Sequence, residues 1–206
     1  MNYYTLNKSK TLIFGWLCMV SFASAQTQIG SDLNGEAGGD ESGVSVSIDS
    51  DGDRIAIGAN LNDGTGTDAG HVRVYEYSGG SWSQLGADID GERAGDLFGV
   101  SVSLDSDGSH VAIGAEENDG LTLEEGADQV YNNVGHVRVY QYSGGSWSQV
   151  GKDIDGKTNG DHTGVSVSLD SDGSHVAIGS PDNGKGHVRV YEYSGGSWSQ
   201  LGADIN

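Results

Sequence analysis

A block of roughly fifty residues recurs three times along the chain, and a repeat of that length is one supersecondary unit stacked on copies of itself. The copies open with GVSVSIDSDGDRIAIGA (43–59), GVSVSLDSDGSHVAIGA (99–115) and GVSVSLDSDGSHVAIGS (164–180). Each continues into GHVRVYEYSGGSWSQLG or a near copy, which carries Trp82, Trp147 and Trp198. Gly43 to Gly58, Gly99 to Gly114 and Gly164 to Gly179 all span fifteen positions, and the His71–Trp82, His136–Trp147 and His187–Trp198 pairs span eleven. One connection varies between these fixed spacings: ten residues (60–69), nineteen (116–134) and five (181–185). Loops absorb insertions at small entropic cost whereas paired strands do not, so binding specificity is most easily written in that connection.

Within the second copy, Val100, Val102 and Leu104 alternate with Ser101 and Ser103, the period of a strand. Asp105-Ser106-Asp107-Gly108 reads as a hairpin turn and HVAIGA (110–115) as the return strand. HVRVYQY (136–142) places Val137 and Val139 on one face and Arg138, Tyr140 and Tyr142 on the other. After the turn Ser143-Gly144-Gly145-Ser146, WSQVGKDI (147–154) reads as a fourth strand. A four-stranded sheet with buriable groups on both faces needs a neighbour on each side. Radial stacking of such sheets is the β-propeller, so the expected fold is all-β with three four-stranded antiparallel blades. The repeats run approximately 27–81, 82–146 and 147–206.

The segment before the repeats has a different character. Lys8 and Lys10 precede an apolar run, Thr11 to Phe22, and Ala23-Ser24-Ala25 offers a small-residue cleavage site, which together read as a secretory signal peptide over 1–25. The lone Cys18 lies inside it, so residues 26–206 contain no cysteine and no disulfide in the oxidising space the chain is expected to enter. No later stretch has the length and apolarity of a membrane span. The net charge of −20 becomes more negative once those two lysines leave, which argues against nucleic acid and anionic lipid as partners and suits cations or basic proteins.

Phe98-Gly99 and Ile178-Gly179-Ser180-Pro181, set in this repeat, resemble the FG and GAP elements of FG-GAP repeats, as found in integrin α-subunit propellers and secreted bacterial proteins. The other copies have Ser42-Gly43 and Thr163-Gly164 for FG, and Gly58-Ala59-Asn60 and Gly114-Ala115-Glu116 for GAP. The resemblance covers 27–206 and implies a propeller, an extracellular or cell-surface setting, and a role in binding or adhesion rather than catalysis. Integrin-type repeats hold calcium in a D-x-D-x-D-G-x-x-D hairpin, and here the matching acids are Asp49 and Asp51, Asp105 and Asp107, and Asp170 and Asp172. Ser47, Ser103 and Ser168 stand at the first acidic position and Ile55, Val111 and Val176 at the last. Calcium takes six to eight oxygens, so the expectation is weak calcium binding beside a plain Asp-Gly turn.

A second acidic set lies between repeats: Asp32 and Asp40; Asp88, Asp90 and Asp96; Asp153, Asp155 and Asp161. As a crossover between blades it reads as a solvated turn or a weak cation site. Histidines, arginines and tryptophans recur in register, and a residue copied into every blade serves the blade, because an active site is asymmetric. No catalytic motif is present, and the expectation is a chain that is not an enzyme. Its ligand would be a protein or, with the aromatics as a lectin-like stacking surface, a carbohydrate. Three blades are fewer than the usual four to eight, which leaves a fragment of a larger propeller, an open arc, or a homo-oligomer of two chains closing a six-bladed ring.

Overall fold

A computed structural model of the chain describes residues 27–119, 133–182 and 184–206. The signal-peptide segment 1–25 lies outside the described residues, as do 120–132 of the second variable connection and 183 of the third. Regular structure among the described residues is strand only. The first blade holds β1 (Ser45–Ile48), β2 (Arg54–Ala59), β3 (His71–Ser78), β4 (Ser81–Gln84) and the short β5 (Ile89–Asp90). The second holds β6 (Ser101–Leu104), β7 (His110–Ala115), β8 (His136–Ser143), β9 (Ser146–Gln149) and β10 (Ile154–Asp155). The third holds β11 (Ser166–Leu169), β12 (His175–Ser180), β13 (His187–Ser194) and β14 (Ser197–Gln200). The four main strands of each blade form an antiparallel meander with neighbours in chain order, and the short β5 and β10 pair back onto β3 and β8. The sequence repeats are thus offset from the sheets by one strand: Trp82 and Trp147 open a repeat but sit on the last long strand of a blade.

The turns form as their residues dictate. Gly144 and Gly145 take φ of 62° and 92°, the pair of positive values that a two-residue hairpin needs between Ser143 and Ser146. The fourth strand differs from its sequence reading as one continuous run, 147–154. β9 pairs with the far half of β8, and the chain then leaves the ladder and returns as β10, with Ile154 opposite Val137. Two features accompany the break in every blade: a glycine at positive φ (Gly86, Gly151 and Gly202, at 81°, 76° and 70°) and a carboxylate two positions later taken by the blade's arginine, as Asp153 is by Arg138. The indole of Trp198 lies against Gly151, where a Cβ would strike it, but the break recurs at Gly202, which has no such neighbour.

The blades stack through two unlike faces. The valine face of the first (Ala56, Val72, Val74, Leu85, Ile89) packs on the tyrosine face of the second (Val102, Leu104, Val111, Ile113, with Tyr140, Tyr142 and Trp147). The valine face of the second (Ala112, Val137, Val139, Ile154) packs in the same way on Val176, Ile178, Val167, Leu169, Tyr191 and Trp198 of the third. Each fully buried Val, Leu or Ile contributes about 1.5–3 kcal/mol, so these seams are the hydrophobic core.

Polar contacts set the register between blades. Ser45 donates to the Gly99 carbonyl at 2.7 Å, and Ser101 to that of Gly164 at 2.6 Å. Ser47 and Ser103 accept the Leu104 and Leu169 amides at 2.9 Å. Each tryptophan bonds back to the preceding outer segment: Trp147 to the Leu85 carbonyl at 2.7 Å, Trp198 to Val150 at 2.8 Å, and Trp82 to Ile29 at 3.1 Å.

Candidate functional site

The first-hairpin acids are held by the turns they sit in. Asp49 accepts the amides of Gly52, Asp53 and Arg54 on one oxygen. Asp105 accepts the His110 amide on one oxygen, and the His110 Nδ1 at 2.7 Å and the Ser109 hydroxyl on the other. Asp170 repeats this with His175 and Ser174. Asp107 and Asp172 accept the Ser109 and Ser174 amides, and Asp51 is exposed. The hydrogen bond that His110 donates to Asp105 raises the pKa of His110 against the opposing effect of its burial. In the third hairpin Asp170, Asp172 and His175 each bring a ligand atom within 4.8 Å of the others, so an acid–histidine group that could hold a metal is present there. Its donor set fits calcium poorly, since one ligand is an imidazole and both carboxylates already accept N–H bonds.

The crossover acids divide into three roles. Asp88, Asp153 and Asp204 each take the guanidinium of their own blade's central arginine, Arg73, Arg138 and Arg189, at 2.8–3.1 Å. Glu36 also reaches Arg73, and Glu92 lies 2.7 Å from Arg138. Burial alone would raise the Asp153 pKa, but the hydrogen bonds from Arg138 and Gln149 carry it below the ordinary carboxylate range. Beneath this pair His136 is buried, and desolvation, reinforced by Arg138, lowers its pKa to about 4. Glu36–His71–Asp88 and Glu92–His136–Asp153 have the spacing of metal ligands, yet in each the arginine already supplies the positive charge between the carboxylates. Asp40, Asp96 and Asp161 are buried and cap their own crossover turns, accepting the amides of Ala37, Arg93, and Lys157 with Thr158. Asp90 and Asp155 are the third kind: burial and a neighbouring carboxylate raise both.

The first variable connection and the described ends of the second fold onto these crossovers along one rim. Thr65 donates to the Gly91 carbonyl at 2.7 Å, the Gly95 amide to Thr67 and the Leu97 amide to Asp68. In the second connection the His162 amide donates to Asn133, and the His162 ring lies 3.8 Å from Glu117. Burial and Glu117 raise the pKa of Glu116. Sequence spacing located Asp40, Asp88, Asp90, Asp96, Asp153, Asp155 and Asp161, but not Glu36, Glu92, Glu117 or Asp204, and could not show which would be spent on arginines and which would crowd one another.

No protein-family model matches the chain, and no curated protein matches it. Two solved structures similar to it are putative 6-phosphogluconolactonases. That from Bacteroides uniformis is 11% identical, with a TM-score of 0.52 over 79% of this chain and 40% of its own. That from Bacteroides fragilis is 13% identical, with a TM-score of 0.52 over 78% of this chain and 38% of its own. The chain folds as β-propeller blades. It spans about two-fifths of the length of those propellers. The expectation that the chain is not an enzyme does not stand against this likeness, because the fold it shares is one that proteins described as lactonases use. Missing motifs are no counterargument, since propeller sites are assembled from loops of several blades rather than written as one local pattern.

Proposed function

We propose that the chain is a secreted, FG-GAP-like propeller segment that binds a basic protein partner, in an adhesive role at or outside the cell surface, through its rim of variable connections and crossovers. The observation that carries this reading is the convergence on one rim of connections that differ between repeats with carboxylates whose pKa values are raised by burial and mutual crowding. Crowded carboxylates in a partly desolvated groove focus a negative potential, which speeds and orients the approach of a cationic surface. The repeated histidines, arginines and tryptophans are engaged in blade contacts and leave the rim as the part that differs from copy to copy.

Binding of the protein to an immobilised basic polypeptide, followed against salt, tests this. Exchange of Asp90, Asp155, Glu116 and Glu117 for their amides is expected to weaken binding, as is raising the salt, while Trp147→Phe leaves it unchanged. Specific binding on a glycan array that is lost in Trp147→Phe would instead support a carbohydrate ligand. Hydrolysis of a sugar lactone by the purified protein would replace the binding reading with a catalytic one. Weak divalent-cation binding at Asp170, Asp172 and His175 accompanies the proposal. Absence of both calorimetric heat and a rise in melting temperature with calcium or zinc would remove that part.

A further inference from the structure

We propose that the uncovered valine face of the third blade docks the first blade of a second copy of this chain, through residues 43–48 of that copy. The same joint is made twice within one chain. At Gly58 a Cβ would collide with the Gly99 carbonyl oxygen, and at Gly114 with that of Gly164, so each glycine is a notch filled by the next blade. The corresponding notch at Gly179 meets only its own Ser166. Ser45 and Ser47, like Ser101 and Ser103, bond to the backbone of the following blade, whereas Ser166 and Ser168 make no bond to another blade among the described residues. A groove of about 350 Å³ remains there, lined by Ser166, Gly179, Val188 and Ile205.

The segment that fits this groove is a copy of the two that already fill its equivalents. GVSVSI (43–48) repeats GVSVSL at 99–104 and 164–169. Gly43 holds φ of 96°, beside 93° at Gly99 and 97° at Gly164, so its backbone is set for docking before any partner arrives. Val46 and Ile48 are 60% and 58% exposed, where Val102 and Leu104 in the made joint are 9% and 7%. A chain cannot offer this segment to its own third blade, because β1 and β11 contact β6 from its two sides. A second copy can, and the exchange is mutual: two copies related by a twofold axis make two such joints and close six blades, within the usual range for a ring.

At the outer edge one segment must yield. TQIGSDLN (27–34) and SQLGADIN (199–206) are copies of one another and claim the same slot on the first blade, under Trp82. Residues 197–205 are held to β13 by strand pairing and by the Val188–Ile205 bridge, while among the described residues 27–34 is tied to the blade by the single hydrogen bond of Trp82 to Ile29. The segment 27–34 is therefore the one displaced. The large negative charge of each copy opposes association, so salt is expected to favour it.

Sedimentation equilibrium on the purified protein decides the matter. The expected result is a monomer–dimer equilibrium shifted to dimer by salt and by deletion of 27–34. Val46→Asp and Val188→Asp, both at positions exposed in the single chain, should each lower the association constant at least about a hundredfold with an unchanged circular-dichroism spectrum. Mixing the two variants should restore association, because one joint of the pair is then free of both substitutions. A monomer at every concentration and salt, or a dimer that survives both substitutions, would overturn the proposal.

Discussion

Val137 and Val188 occupy the same position in two copies of one sequence, yet the first is fully buried and the second is 39% exposed. Ile154 and Ile205 differ more, at 4% against 61%. The strands around them pair in the same register, His136 to Gln141 on β7 and His187 to Glu192 on β12 alike. What differs is the neighbour: the second blade has the third against its valine face, and the third has none among the described residues. Equal residues in equal strands thus contribute unequal stability, because hydrophobic gain depends on the area removed from water rather than on the residue itself.

The largest expected contrast lies at the glycine notches. Gly114→Ala would drive a methyl group into the Gly164 carbonyl and is expected to cost about 3 kcal/mol or more, whereas Gly179→Ala needs only the Ser166 side chain to turn and should cost far less. Urea unfolding of both variants measures this, and equal losses would mean that the third blade's face is covered in solution. Next comes Ile154→Ala, at about 2–5 kcal/mol, against Ile205→Ala, within about 0.5 kcal/mol of the parent protein. The same melts sharpen the comparison if they are repeated at dimer-forming concentrations, where the Ile205 loss should grow.

The hairpin histidines extend the contrast to pH. His110 lies under Gly173 of the next blade, while the counterpart His175 is more open. Its bond to Asp105 raises the folded pKa of His110, so its contribution is whole below the unfolded value, about 6.5, and is lost as pH rises through the raised folded value. His136 has the opposite sign. Neutral in the fold down to about pH 4, it contributes fully above about 6.5 and loses that contribution as pH falls from there to about 4. Stability followed against pH should therefore lose its alkaline decline in His110→Gln and keep it in His136→Gln. The smallest contrast is at the seam serines: Ser101→Ala should cost about 1 kcal/mol and Ser166→Ala close to nothing, because only Ser101 has a carbonyl to bond.

Much of this fold is legible in the chain as written. Val102 and Leu104 alternating with Ser101 and Ser103 announce a strand, and Gly144-Gly145 announces its hairpin, since both are local consequences of side-chain period and backbone freedom. The break between β9 and β10 is not legible. WSQVGKDI looks continuous, and it opens where Gly151 takes a φ of 76° and Arg138 takes Asp153, a break that recurs at Gly202 with no next blade against it. Nor do the serines of β6 declare that they bond the next blade rather than water. The acids of the rim were countable from the start, but Asp153 ends paired to an arginine while Asp155, two residues on, is crowded and left without one.

The sequence by itself determined the period, the strands, the turns and the three-blade architecture, because each follows from contacts between residues near one another in the chain. Only the tertiary structure decided which valines are core, which carboxylates are neutralised and which glycines are notches. Those properties belong to pairs of blades, and copies of one sequence can differ in whether the second member of the pair is present.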